Sequence, residues 1–133
     1  MRKFDESKNF FHRLYRNCLY SICLSFYFYK LIKMDKGTKE LKIIMVCLGN
    51  ICRSPIAEGV LKYYSNNEKL NIFVDSAGTN GFHNGQSPHR LSQKVCKLNG
   101  IDISSQRSRK ILNSDLDNFD VVYVMKEGLV KLL

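Results

Sequence analysis

Residues 41–55 read LKIIMVCLGNICRSP, and the order of residue types in this stretch decides the fold class. Residues 41–46 are apolar except for one lysine and include β-branched side chains, a pattern that predicts a buried strand. The Gly-Asn pair at 49–50 interrupts this run and predicts a tight loop. Ser54 and Pro55 form a favourable N-cap and first-turn pair, so we expect a helix that Ser54 caps.

The same alternation of strand and helix continues downstream of this stretch. Residues 71–75 predict a second strand, and residues 76–79 predict a turn that leads into a polar loop. Residues 87–100 predict a helix that begins at a Ser-Pro pair and stops at a glycine, and residues 119–125 predict a third strand. This order predicts an α/β fold with a parallel sheet flanked by helices. Ligands in such sheets bind at the carboxyl ends of strands, where the loop of residues 47–53 begins.

The loop from Cys47 to Arg53 has the spacing Cys-x5-Arg, and its residue types suit a phosphate ligand. Cys47 would lie where successive backbone N–H groups and a helix N-terminus create a positive concavity, which favours a thiolate nucleophile and binds an oxyanion. Gly49 and Asn50 tolerate the left-handed backbone that such a loop needs. Arg53 presents a planar fork to two phosphoryl oxygens, and Ser54 can donate a hydrogen bond to the thiolate.

These motifs make the chain similar to the low-molecular-weight protein tyrosine phosphatases. The resemblance covers about residues 41–133 and rests on five blocks of sequence, which are residues 46–55, 57–59, 75–79, 99–101 and 115–125. It implies a flavodoxin-like, three-layer α/β fold with a parallel sheet of four strands. It also implies hydrolysis of protein phosphotyrosine in the cytoplasm, with Cys47 as the nucleophile that becomes phosphorylated and Arg53 as the oxyanion clamp.

The resemblance also assigns the remaining loop residues. The phosphate-binding residues that it implies are Leu48, Gly49, Asn50, Ile51, Cys52, Arg53 and Ser54. Cys52 is implied to be the neighbouring thiol that pairs reversibly with Cys47 and protects it from overoxidation. The implied partner is a phosphotyrosine protein or peptide, and we expect no cofactor and no metal ion.

The sequence departs from the family pattern at its C-terminal end. In the family, the carboxylate of an Asp-Pro motif protonates the departing phenolate, but this chain contains no Asp-Pro pair. Its two prolines, Pro55 and Pro88, both belong to predicted helix starts, and Lys126 follows Met125 where the family has Asp. We therefore expect a domain over residues 41–133 that lacks the last strand and helix and has weak or no turnover.

Residues 1–40 form an N-terminal extension in this interpretation, either a helical segment or a dispensable leader. Residues 18–29 are rich in Leu, Ile, Phe and Tyr, but the stretch is shorter than the about 20 apolar residues that span a bilayer. We expect no firm membrane association, and attachment of an aromatic, basic helix to a membrane surface stays open.

Charge and cysteine content limit the partners and the compartment. The formal net charge is +9, but the basic residues are spread along the chain, so we expect no nucleic-acid partner. The five cysteines are an odd number without the regular spacing of a secreted disulfide framework, which favours a reducing cytoplasm.

Three alternatives to a phosphatase stay open. The first is an inactive module that binds phosphate without turnover. The second is a thiol-dependent arsenate reductase, which would need two further cysteines after the loop, whereas only Cys96 follows and its position predicts a small core residue. The third is a metal site of Cys47, Cys52, His83 and His89, although the Cys-x4-Cys spacing lacks the short knuckle of structural zinc.

Overall fold

The computed structural model describes residues 39–125, which form an α/β domain. Its elements, in chain order, are strand β1 (Leu41–Cys47), helix α1 (Arg53–Asn67), strand β2 (Ile72–Gly78), helix α2 (Arg90–Leu98), helix α3 (Asn113–Asn118) and strand β3 (Val121–Val124). This order confirms the predicted α/β class. None of the described helices has the length and apolarity needed to cross a membrane.

Several expectations concern parts of the chain outside the described residues. They include the structure and membrane contact of the N-terminal extension, and the predicted lack of a last strand and helix. The division of the chain at residue 40 into an extension and a domain therefore stays a prediction.

The three described strands form one parallel sheet in the order β2-β1-β3. Strand β1 is central, and it pairs with β2 from Leu41↔Ile72 to Cys47↔Gly78. Residues 43–47 of this central strand are all buried. Burial on both faces explains why the strand reads as an apolar run instead of an alternating pattern.

Each face of the sheet carries its own part of the hydrophobic core. The buried apolar residues of one face are Ile43, Met45, Ala57 and Val74. Those of the other face are Ile44, Val46 and Ala77. Helix α1 covers the first face, because it packs against both β1 and β2. Cys47 is the last residue of β1, so the loop begins directly at the carboxyl end of the central strand.

Strand β2 is longer than the sequence predicts. Residues 76–78 continue the strand where we expected a turn, and the pairing of β1 with β2 extends to Cys47↔Gly78. The turn prediction is wrong because backbone pairing with the central strand outweighs the turn preference of small residues. The extension brings Ser76 to the same edge of the sheet as the loop.

The starts of the first two helices also differ from prediction. Helix α1 begins at Arg53, and Ser54 lies inside it with its hydroxyl turned to other partners, so Ser54 is not the N-cap. Helix α2 begins at Arg90 instead of Ser87, because the side chain of His89 accepts a hydrogen bond from the first turn. The cap prediction was wrong in both cases, although each helix was placed within a few residues.

The ends of the remaining elements are partly as predicted. Gly100 follows the last turn of α2 with a φ of 74°, which confirms it as the predicted stop. Helix α3 has no counterpart in the sequence prediction. Strand β3 begins at Val121, two residues later than the predicted start at Phe119.

Candidate active site

The loop between β1 and α1 folds around the sulfur of Cys47. Cys47 ends β1 and is 3% exposed. The backbone N of Asn50 donates a hydrogen bond of 3.2 Å to its Sγ, and the hydroxyl oxygen of Ser54 lies 3.0 Å from Sγ. Arg53, the predicted oxyanion clamp, is the partly buried first residue of α1. The loop therefore joins the carboxyl end of the central strand to a helix N-terminus, where anions bind favourably.

Asn50 holds the loop in this shape through its backbone and its side chain. Its φ of 53° is left-handed, as predicted, and the residue is 2% exposed. Its Nδ2 donates to the hydroxyls of Ser54 at 2.8 Å and Ser76 at 2.9 Å, and its Oδ1 accepts from the backbone N of Arg109 at 2.9 Å. These contacts offset the cost of a left-handed residue other than glycine, which is about 1–3 kcal/mol.

Gly49 contributes space instead of a left-handed backbone. The positive φ values among the described residues do not include Gly49, so that part of the prediction is wrong. A Cβ on Gly49 would lie 3.1 Å from Cδ2 of His83. At the end of β2, a Cβ on Gly78 would lie 2.9 Å from the carbonyl oxygen of Leu48 and 3.1 Å from the backbone N of Asn50. Both glycines therefore permit close packing of neighbouring segments against the loop.

The donors and acceptors around Asn50 fix the orientation of its amide and one of the bonds of Ser54. Because the backbone N of Arg109 can only donate, Asn50 presents its oxygen there and its two N–H groups to the serines. The Ser54 oxygen accepts one of these bonds, and its own hydrogen has two acceptors within reach, the Cys47 sulfur at 3.0 Å and the carbonyl of Ala77 at 3.4 Å. A thiolate can only accept hydrogen bonds, so an ionised Cys47 sulfur would take the Ser54 hydrogen together with that of the Asn50 backbone N.

A buried carboxylate terminates the network. Ser76 donates to Oε2 of Glu58 at 2.5 Å, and Glu58 is 4% exposed. Its other oxygen, Oε1, forms an ion pair with Nζ of Lys62 at 2.5 Å, one turn along α1. Because the Ser76 hydrogen is directed to the carboxylate, its oxygen stays available as the acceptor for Asn50. The network therefore runs without a break from the sulfur to a paired charge.

Arg109 anchors the segment whose backbone N reaches Asn50. Its guanidinium donates to Oδ2 of Asp75 at 2.7 Å and to Oδ2 of Asp115 at 2.8 Å. Burial lowers the pKa of Arg109, but the hydrogen bonds and charges of both carboxylates outweigh burial and raise it above its ordinary value. Burial raises the pKa of Asp115, but three interactions outweigh burial, so the pKa lies below its ordinary value. They are the hydrogen bond from Arg109, the hydrogen bond from a backbone N–H and the charge of Arg109.

The three described cysteines are free thiols in different surroundings. Burial is the main reason that the pKa of Cys52 is raised above its ordinary value, and the nearby Cys47 adds to this rise. The hydroxyl of Ser92 and the charge of Arg53 lower the pKa but do not cancel the rise. Cys96 lies in the core, where burial raises its pKa to about 11. Its burial confirms the prediction of a small core residue.

The two histidines of the alternative metal site make local contacts. Nδ1 of His83 lies 3.0 Å from Oε1 of Gln86, and the side chain of His89 caps α2. Within residues 39–125, no three His, Cys, Asp or Glu side chains converge in a way that could hold a metal ion. The contacts give these histidines roles in loop and helix geometry.

The segment after β2 forms one wall of the loop. The backbone N of Thr79 donates to the carbonyl of Cys47 at 2.9 Å, and that of Asn80 donates to the carbonyl of Leu48 at 3.0 Å. Leu48 is 47% exposed, and Phe82, on the same wall segment, is 85% exposed. Large apolar side chains are thus exposed on both segments, where they can contact an apolar ligand.

Reasoning from spacing missed three residues of this site, which are Glu58, Ser76 and Arg109. Glu58 and Ser76 lie in two of the blocks that carry the family resemblance, and this was their only signal. Arg109 gives no local signal, because its side-chain partners lie 34 and 6 positions away along the chain. Contacts of this kind follow from the packing of loops and not from a pattern within one segment.

The chain is similar to known proteins in sequence. The family described as low molecular weight phosphotyrosine protein phosphatase matches residues 42–133. The low molecular weight protein-tyrosine-phosphatase YfkJ of Bacillus subtilis is 38% identical over 87 residues, which cover 64% of this chain and 56% of the relative. The human low molecular weight phosphotyrosine protein phosphatase is 40% identical over 96 residues, which cover 71% of this chain and 59% of the relative.

Solved structures show the same likeness. The crystal structure of YfkJ from Bacillus subtilis matches with a TM-score of 0.70 at 35% identity, over 74% of this chain and 63% of that chain. The chain spans just over half of the length of the curated relatives that it matches.

Proposed function

This chain belongs to the low-molecular-weight phosphotyrosine protein phosphatase family, and we propose that it hydrolyses phosphotyrosine in proteins or peptides through a cysteinyl-phosphate intermediate on Cys47. The observation that carries the proposal is the pair of contacts at the Cys47 sulfur, from the backbone N of Asn50 at 3.2 Å and from the hydroxyl of Ser54 at 3.0 Å. A sulfur in these surroundings at a helix N-terminus combines a nucleophile with an anion site.

The proposed reaction has two displacements at phosphorus. In the first, the Cys47 thiolate attacks phosphorus, the bond from phosphorus to the tyrosyl oxygen breaks, and a phenolate leaves. In the second, water attacks phosphorus, the phosphorus–sulfur bond breaks, and phosphate and the thiolate are released. Arg53 and the amides of residues 48–54 bind the phosphoryl oxygens, where charge is spread in the transition state. Ser54 stabilises the thiolate before the first step and after the second.

Protonation of the leaving phenolate determines which substrates react fastest. Residues 1–133 contain no Asp-Pro pair, and a reaction without general-acid assistance is slower by about 10² to 10⁴. We therefore expect this chain by itself to depend on activated leaving groups, and to act more slowly on phosphotyrosine than on p-nitrophenyl phosphate. A chain that binds phosphate without any turnover is the alternative outcome.

The wall of the site supports an aromatic substrate. Leu48 and Phe82 expose apolar surface on the two segments that meet at the loop, which suits contact with the ring of a phosphotyrosine. The five cysteines lack the regular spacing of a secreted disulfide framework, so we place the activity in the cytoplasm.

We also infer a protective role for Cys52. A peroxide would oxidise the Cys47 thiolate to a sulfenic acid, and the Cys52 thiol would then attack that sulfur to form a disulfide and release water. A thiol reductant reverses the step. Partial burial of Cys52 close to Cys47 and Arg53 supports this role.

Release of p-nitrophenol from p-nitrophenyl phosphate by the full chain tests the proposed function. We expect turnover that Cys47→Ser abolishes and that Cys96→Ala, which changes a buried cysteine on α2 and outside the loop, retains. Turnover that survives Cys47→Ser would reject the nucleophile. Phosphate binding without turnover in the parent chain would instead identify an inactive phosphate-binding module.

A further inference from the structure

Helix α2 carries all of the excess positive charge of the described residues. Residues 39–125 contain eleven Lys and Arg and eight Asp and Glu, and three of the eleven, Arg90, Lys94 and Lys97, lie on α2, which has no acidic residue. Outside α2, eight cations are matched by eight anions. A concentration of one sign of charge on one helix creates a local field that attracts anions.

The three cations form one side of α2, which we call the cationic face (Arg90, Lys94 and Lys97). At 3.6 residues per turn, these positions fall within an arc of about 60°. All three residues are exposed. The buried residues of the helix, Ser92 and Cys96, lie on its opposite side. The cationic face therefore points to solvent and is accessible to a ligand.

Two of these cations form no ion pair in the described part of the chain. Neither Arg90 nor Lys94 forms an ion pair there, since the ion pairs of residues 39–125 involve Lys39, Lys62 and Arg109. Lys97 differs, because hydrogen bonds from Ser104 and then the charge of Lys97 lower the pKa of Asp102. Arg90 and Lys94 thus keep their full charge for an external anion.

The cationic face begins beside the phosphate-binding loop. The backbone N of His89 donates to the carbonyl of Ile51 at 2.7 Å, and Arg90 is the next residue. Helical side chains tilt toward the N-terminus of their helix, so Arg90 and Lys94 lean toward the loop. At 1.5 Å per residue, Lys97 lies about 10 Å from Arg90 along the axis, which is the length of about three residues of extended peptide.

We propose that the cationic face binds acidic side chains that flank the phosphorylated residue of a protein or peptide substrate. This inference rests on the proposed function and narrows its substrate class to phosphopeptides with Asp or Glu within about three positions of the phosphorylated side chain. With the phosphoryl group in the loop, the neighbouring residues of such a peptide pass over the start of α2. A phosphopeptide fits better than a membrane or a nucleic acid, because the face is short and adjoins the phosphate site.

Peptide binding to the full chain carrying Cys47→Ser tests this proposal without consuming the ligand. The probes are a phosphotyrosine peptide flanked by Glu, the same peptide flanked by Ala, and the unphosphorylated Glu peptide. We expect the Glu phosphopeptide to bind about three- to tenfold more tightly than the Ala phosphopeptide, with a preference that decreases as salt is added.

Two charge-reversal variants separate the cationic face from net charge. Arg90→Glu with Lys94→Glu removes the preference for the Glu phosphopeptide. Lys42→Glu with Lys69→Glu makes the same change of charge at the amino ends of β1 and β2, away from the loop, and keeps the preference.

The outcomes distinguish this inference from the proposed function. Equal affinities of the two phosphopeptides, or equal loss of preference in both double variants, would reject the proposal that the cationic face binds acidic side chains. Either result would leave the proposed function intact. If neither phosphopeptide binds better than the unphosphorylated peptide, the proposed function itself fails. Binding to phosphatidylserine vesicles that exceeds binding to the phosphopeptides and is lost in Arg90→Glu with Lys94→Glu would assign the face to a membrane, and would also overturn the proposal.

Discussion

The side-chain nitrogen of Asn50 lies 2.9 Å from the hydroxyl oxygen of Ser76, and this contact joins the phosphate-binding loop to strand β2. The two residues are 26 positions apart, so the shape of the loop depends on the register of the sheet. The same amide also donates to Ser54, whose hydroxyl contacts the Cys47 sulfur. The surroundings of the sulfur are therefore set by the core of the domain and not by the loop alone.

Removal of the Ser54 hydroxyl should weaken the nucleophile. Ser54→Ala deletes the contact to the Cys47 sulfur and leaves one N–H of Asn50 without an acceptor, and a hydrogen bond to a charged group contributes about 1.5–3 kcal/mol. We expect turnover of p-nitrophenyl phosphate and alkylation of Cys47 by iodoacetate to slow by about ten- to a hundredfold. Ser65→Ala, a buried serine on the same helix, is the control. Unchanged alkylation in Ser54→Ala would reject the assigned contact.

Substitutions of two glycines should have different effects, one on the stability of the domain and the other on the shape of the loop. In Gly59→Ala the new Cβ would lie 2.4 Å from Cγ2 of Ile103, and such overpacking costs about 1–3 kcal/mol of unfolding free energy. In Gly78→Ala the Cβ would meet the backbone of Leu48 at 2.9 Å and displace the loop.

Urea unfolding and turnover, measured on both glycine variants, test this difference. We expect Gly59→Ala to lower the unfolding midpoint with turnover per folded molecule retained, and Gly78→Ala to lower turnover by about tenfold or more. The reverse pattern would show that β2 does not position the loop.

Because of the ion pair between Arg109 and Asp115, the stability of the domain should depend on pH in the acid range. The pKa of Asp115 is lower in the folded chain than its ordinary value of 3.8, so the folded state binds this proton less strongly than the unfolded state does. The stabilisation is therefore present above about pH 4 and is lost as pH falls through the lowered pKa. We expect Asp115→Asn to reduce the unfolding free energy at neutral pH by about 1–3 kcal/mol.

The pH dependence of that loss is the diagnostic result. The difference between the parent chain and Asp115→Asn should shrink as the pH falls below 3.8 and through the lowered pKa of Asp115, where the parent chain loses the charge. Asp117→Asn, an exposed change on the same helix, should show no such dependence. A difference that stays constant with pH would mean that the carboxylate charge does not hold Arg109.

Cys52 should make oxidation of the nucleophile reversible. After treatment with hydrogen peroxide, the parent chain should recover turnover when a thiol reductant is added, and Cys52→Ser should recover much less, because its Cys47 oxidises further. Cys96→Ala controls for the loss of a thiol elsewhere. Equal recovery in Cys52→Ser and the parent chain would reject the protective pairing.

The sequence predicted the parts of the fold that depend on local pattern. The apolar run of β1, the Gly-Asn break and the following helix start all lie within residues 41–55, so their order along the chain was sufficient to predict them. The left-handed Asn50 was predicted for the same reason, because asparagine tolerates this backbone better than most residues.

Other features could not be predicted because they depend on contacts between distant segments. Residues 76–78 have the composition of a turn, but their pairing with β1 keeps them in the strand. Of the two roles predicted for Ser54, the structure has the contact with the Cys47 sulfur and not the helix cap, since the same hydroxyl can serve either role and only the fold decides between them. Glu58 reads as an ordinary helix residue until Ser76 is placed beside it.

Trapping of the covalent intermediate tests whether Cys47 is the nucleophile. The full chain is mixed with p-nitrophenyl phosphate, quenched rapidly in acid, digested and analysed by mass spectrometry. We predict that a peptide containing Cys47 gains the mass of one phosphoryl group, and that this gain is absent in Cys47→Ser. Release of p-nitrophenol in the same mixture with no phosphoryl group on Cys47, or with the group on another residue, would show that Cys47 is not the nucleophile.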